Sequence, residues 1–71
     1  MNKPSRLQFE YNRFIDTYRL NKTERDALNT VVGQIALDTS KTRVAVMQKA
    51  HKNSAFAHDV VDCVRSAVAS L

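Results

Sequence analysis

Residues 54–71 read SAFAHDVVDCVRSAVASL and decide the fold. At about 100° per residue, the apolar side chains of this stretch fall on one arc of about 160°, and the polar side chains occupy the rest of the circle. The pattern predicts an amphipathic helix over 55–70 with Ser54 as its N-cap. Cys63 lies on the apolar arc, so we expect a core thiol that packs as a small hydrophobic group.

The same period continues towards the start of the chain and predicts two further helices. Apolar side chains recur at helical spacing over 5–20 and again over 24–38. Ser5 and Thr23 are the N-caps we expect, because a side-chain oxygen there accepts from a free backbone N–H group. Gly33 lies inside the second helix, where it costs about 1 kcal/mol relative to alanine, and this indicates that another helix approaches closely.

The remaining helix, the third in chain order, is expected over 41–52. The segment before it has two interpretations. Asp38 and Ser40 are cap-type residues, and either one could cap a separate helix. The alternative is one long helix over 24–52, because a heptad-like apolar spacing runs through the junction. We favour the break, since that apolar seam turns polar where the cap-type residues cluster.

These patterns predict an all-α protein, a small bundle of three to four short helices in a single domain over 1–71. One glycine and one proline are too few for the turns of a β-sandwich, and one cysteine excludes an internal disulfide. The sequence has no signal-peptide pattern and no apolar run long enough for a membrane span. We therefore expect a cytoplasmic protein that does not insert into membranes.

A chain of 71 residues builds a thin core, and this one has apolar side chains beyond its core faces. The apolar arc of the last helix is wide for a protein with so few partner helices, and Phe9 and Leu37 lie off the apolar faces of their own helices. We therefore expect a homodimer or a higher oligomer. The predicted interface consists of the apolar side chains Phe56, Val60, Val61, Val64, Val68 and Leu71.

Catalytic, metal-binding and cofactor-binding residues are not predicted. His51 and His58 lie on different predicted helices, and a triad also needs a nucleophile and an oxyanion site. His58 and Asp62 have the i,i+4 spacing of two metal ligands, but two ligands do not fix a zinc ion. We expect these two side chains to form a surface ion-pair ladder with Arg65 instead. A chain with one glycine cannot build a phosphate-cradling loop.

The formal net charge of +4 lies in one segment. Residues 40–58 hold four basic side chains and no acidic one, so this segment alone accounts for the net charge. Such a segment either attracts phosphates or an acidic protein surface, or it is only a solvated helix face. The candidate residues of this basic face are Lys41, Thr42, Arg43, Lys49 and Lys52.

Residues 34–52 resemble a helix-turn-helix motif. An alanine in the first helix, a short polar turn and a second helix that opens with Lys, Thr and Arg would place hydrogen-bond donors at base edges. The motif is degenerate, because Ser40 takes the place of the typical glycine and Lys41 that of an apolar residue. A homodimeric DNA-binding transcriptional regulator is therefore the alternative function.

Our leading prediction is a small non-enzymatic regulatory or adaptor protein that docks onto a protein partner. Its anchors would be apolar side chains that lie off the core faces and are rimmed by charge. The candidate docking residues are Phe9, Arg13 and Leu37.

Overall fold

The computed structural model describes residues 5–71, which form four helices and no strand. The helices are α1 (Arg6–Tyr18), α2 (Lys22–Thr39), α3 (Arg43–Lys52) and α4 (Ser54–Ala69). The predicted all-α bundle is confirmed. The alternative of one helix over 24–52 is wrong, because Ser40 has a left-handed backbone (φ 55°) that ends α2. Within the described range, no helix is both long enough and apolar enough to cross a membrane.

The N-cap of α1 agrees with the prediction, and the N-cap of α2 does not. Ser5 caps α1 as predicted, since its hydroxyl accepts from the backbone N–H of Gln8 at 3.1 Å. The prediction of Thr23 as a cap is wrong, because Asn21 and Glu24 form a reciprocal capping box. The Asn21 side chain accepts from the Glu24 N–H at 2.8 Å, and the Glu24 carboxylate accepts from the Asn21 N–H at 2.9 Å.

The other two N-caps also differ from the prediction. Thr42 caps α3, accepting from the Ala45 N–H at 3.1 Å, whereas Ser40 belongs to the end of α2 and donates its own N–H back to that helix. Asn53 rather than Ser54 caps α4. Its backbone N–H bonds the Lys49 carbonyl while its side chain accepts from the Phe56 N–H, so one residue ends α3 and starts α4.

Helix α3 is the centre of the bundle, because it packs against each of the other three helices; α2 and α4 also pack together. The most completely buried large side chains come from α2, α3 and α4: Leu28, Val32, Met47, Val60 and Val64. Phe14 supplies the largest buried side chain of α1. Because α1 lies against α3, the buried core ends along the contact between these two helices, and a groove opens at the surface there.

The apolar arc of α4 is only partly covered by the bundle, and this corrects two predictions. Val60, Val61 and Val64 are buried in the core of the single chain, so they have no surface left for a second copy. Cys63, predicted to be a core thiol, is exposed, because it lies at one edge of the arc, and the edge that the bundle covers is the opposite one, at Val61. Of the proposed interface, Leu71 is 92% exposed, and Phe56 and Val68 are half-buried.

Candidate docking site

A groove of about 690 Å³ lies between α1 and α3. Its walls are Arg6, Phe9, Glu10 and Arg13 from α1, and Gln48, His51 and Lys52 from α3. The α1 residues have the spacing i, i+3, i+4 and i+7, and the α3 residues have the spacing i, i+3 and i+4, so each set lies on a single helix face. We call this the α1–α3 groove.

Phe9 is the exposed aromatic side chain of the α1–α3 groove. It is 54% exposed, as its position off the apolar face of α1 predicts. The guanidinium of Arg13, one turn further along α1, lies over the ring at 5.4 Å from its centroid. At an exposed site such a cation–π contact contributes about 0.5–1 kcal/mol, which favours this position of the ring.

Glu10 is the buried charge beside that ring, and sequence reasoning missed it. Its side chain is buried although it is a carboxylate, and both carboxylate oxygens accept from the Arg13 guanidinium, one of them at 2.7 Å. The available signal was spacing, since Glu10 follows Leu7 by three residues and precedes Phe14 by four. A carboxylate so placed faces the core side of its helix and needs a cationic partner.

Leu37 lies on a different surface from the other predicted docking residues. It is 77% exposed and lines a hollow between the end of α2 and the start of α3, with Gly33, Lys41 and Arg43. The structure therefore brings Phe9 and Arg13 together and leaves Leu37 apart from them.

Three of the five residues of the predicted basic face lie together, since Lys41, Thr42 and Arg43 all line the hollow beside Leu37. Thr42 is used as the cap of α3, and Lys52 lines the α1–α3 groove. The Lys49 ammonium lies over the Phe56 ring, 4.6 Å from its centroid, in a small cleft between α2, α3 and α4 that Lys41 also lines. The Arg43 side chain extends towards α2, with its guanidinium next to Gly33. The basic residues of this segment thus line the hollow beside Leu37, the cleft beside Phe56 and the α1–α3 groove.

The Arg43 guanidinium, at the end of a flexible side chain, lies against Gly33 inside α2 and would have to move aside for a larger residue there. A methyl group on Gly33 would lie 2.6 Å from a terminal nitrogen of the Arg43 guanidinium. The close approach predicted at this glycine is real, but a side chain from α3 makes it rather than a helix backbone.

Burial raises the pKa of the Tyr11 phenol, although the positive charge of Arg43 opposes this effect. The Tyr11 hydroxyl donates to the side-chain oxygen of Asn29 at 3.1 Å and so ties α1 to α2.

The turn between α2 and α3 has the backbone of a helix-turn-helix at one point. Ser40 adopts the left-handed conformation for which glycine is typical. However, α1 packs along α3, where Met47 is buried and Gln48 and His51 line the α1–α3 groove. Lys41 and Arg43 lie at the other end of α3, where a recognition helix contacts base edges, and both are exposed.

The polar side chains of α4 do not form the predicted ladder. Arg65 pairs with Glu24 of α2, with 3.5 Å between the nitrogen and the carboxylate oxygen. His58 packs edge-on against the Tyr18 ring instead, with the centroids 6.0 Å apart. Both side chains stay exposed, beside the apolar face with which α4 packs into the bundle. In residues 5–71, no three histidine, cysteine, aspartate or glutamate side chains are placed to hold a metal ion together.

Comparison of the chain with protein-family models, with curated proteins and with solved structures gives no match.

Proposed function

We propose that this chain is a small, non-enzymatic, cytoplasmic regulatory or adaptor protein that binds a protein partner through the α1–α3 groove. The observation that supports this most is Phe9, a half-exposed aromatic ring that contacts Arg13 and lies in a concave surface. Aromatic and arginine side chains dominate the binding energy of protein interfaces, and they act best where surrounding contacts exclude water. The groove supplies both kinds of side chain and the walls around them.

The test is affinity capture with paired baits, each with and without nuclease. We expect the wild-type bait to retain a protein partner after nuclease treatment, and Phe9→Ala to reduce the captured amount about tenfold or more. Gln8→Ala, an exposed neighbour outside the groove, is the matched control and should capture the partner normally. Leu37→Ala tests the separate hollow. Equal capture by Phe9→Ala and the wild type would refute the groove as the docking site.

DNA binding is the second candidate function, and the left-handed backbone of Ser40 favours it. In this case Lys41 and Arg43, at the start of α3, would contact phosphates and bases. Capture would then be lost after nuclease treatment and would fall in Lys41→Glu, while Phe9→Ala would retain it. Affinity would also decrease steeply with salt, with a log–log slope of about −0.9 per phosphate contact.

A homodimer remains a prediction, with a smaller interface than the sequence suggests. Leu71, Val68 and Phe56 are the members of the predicted interface that keep exposed surface on the single chain. Light scattering at micromolar concentration should give the mass of two chains, and Leu71→Asp should shift that mass towards one chain. A wild-type mass of one chain would show that association does not complete this bundle.

A further inference from the structure

We propose that the α1–α3 groove binds an acidic segment of its partner, in which glutamate or aspartate side chains flank an apolar anchor. This inference rests on the proposed function and specifies the chemistry of the partner. Its basis is the charge that remains in the groove once the internal contacts are assigned.

The α1–α3 groove has more cationic than acidic side chains, and some of its cations have no acidic partner in the groove. Arg6, Arg13 and Lys52 are cationic, and Glu10 is the single acidic residue among the walls. Both carboxylate oxygens of Glu10 accept from Arg13, so this pair compensates itself. Within the described part of the chain, neither Arg6 nor Lys52 forms an ion pair. One free cation therefore lies on each wall, Arg6 on α1 and Lys52 on α3.

A partner that covers Phe9 must come close to these two cations. An apolar partner would remove water from Arg6 and Lys52 and give nothing in return, which is costly for charged groups. A segment with carboxylates on both sides of its apolar anchor supplies the missing counter-charges, so its potential complements that of the groove. Gln48, on the α3 wall, adds a side-chain amide that can donate to a carboxylate.

The aromatic inventory favours a protein over single-stranded nucleic acid. Such nucleic acids stack successive bases on several aromatic rings. Here Phe14 is buried, and Tyr11, Tyr18 and Phe56 pack against the core, so Phe9 stands alone in the groove.

The experiment is a binding titration by fluorescence anisotropy on the full chain. The probe is a labelled helical peptide in which glutamates surround a stripe of leucines. Its twin has glutamine at every glutamate position, and a single-stranded oligonucleotide is the third probe. We expect the glutamate peptide to bind at least about tenfold more tightly than its twin, and Lys52→Glu or Arg6→Glu to remove most of that difference.

Lys22→Glu is the matched control, because it changes the net charge equally on an exposed residue outside the groove. It should leave binding nearly unchanged, and circular dichroism should show all variants folded. The inference is overturned if the glutamine twin binds equally well, if Lys22→Glu weakens binding as much as Lys52→Glu, or if the oligonucleotide binds best. If capture from lysate still requires Phe9 while the peptide fails to bind, the acidic chemistry is wrong and the docking function stands.

Discussion

Arg13 is the residue that connects the parts of the α1–α3 groove. Its guanidinium contacts the Phe9 ring on one side and the Glu10 carboxylate on the other. The contact with Glu10 is favourable because that carboxylate is only 4% exposed and has lost most of its water. One side chain thus neutralises a buried charge and contacts an exposed aromatic ring.

The partly buried phenol of Tyr11 leads to a prediction about how stability changes at alkaline pH. Burial raises the pKa of its phenol above the ordinary value of about 10, although the Arg43 charge opposes this. The folded phenol therefore keeps its proton at a pH where the unfolded phenol loses it. The stabilising contribution is complete below about pH 10 and is lost as the pH rises through the folded pKa. We expect urea unfolding to show a larger loss of stability from about pH 9 to 11 in the wild type than in Tyr11→Phe.

Tyr18→Phe is the control for this measurement, because it removes a phenol and leaves Tyr11 in place. It should retain the part of the alkaline loss that Tyr11 causes. Identical pH dependence of Tyr11→Phe and the wild type would contradict this role for burial.

Single-residue predictions succeeded where the helix face alone decides exposure. Phe9 and Leu37 are exposed because each lies off the apolar face of its own helix. Cys63 and Glu10 depend on which neighbour covers that face. A helix wheel places Arg13 next to Glu10, but it cannot show how far α2 and α3 extend across α4, or that α1 packs against α3 on the side of Glu10.

The ends of the helices provide a test at the level of elements. Asn21→Ala removes the side chain that caps α2 and its capping box with Glu24. We expect a loss of about 1 kcal/mol in the free energy of unfolding, measured by urea denaturation. Thr23→Ala should cost clearly less, because Thr23 caps nothing in the structure. A larger loss in Thr23→Ala than in Asn21→Ala would contradict the observed cap.

The number of helices and the break between α2 and α3 could be predicted from periodicity and clustered cap-type residues. The identity of the caps could not, since this part of the chain offers several cap-type residues in succession. Glu24 decides in favour of Asn21, because its side chain is long enough to reach back to the capping residue's N–H. At the last junction Asn53 ends one helix and starts the next, which leaves no room for a linker.

For the whole molecule, the position of α1 on α3 creates the candidate site. Phe9 and Arg13 could be named from the sequence, because both lie on one face of α1. That Lys52 lies in the same groove as these two residues could not be predicted. It requires knowing that α1 packs more closely against α3 than against α2. Lys52 was predicted as part of a continuous basic face, and in the structure it belongs to the groove beside Phe9.

The most direct test of the docking groove is a nitrogen-15 NMR titration of the full chain with the glutamate–leucine peptide. The largest shifts should occur at the backbone amides of Phe9 and Arg13 on α1 and of Gln48 and His51 on α3, while Leu37 should stay unchanged. Largest shifts around Leu37, or an equal response along the whole chain, would contradict docking in the α1–α3 groove.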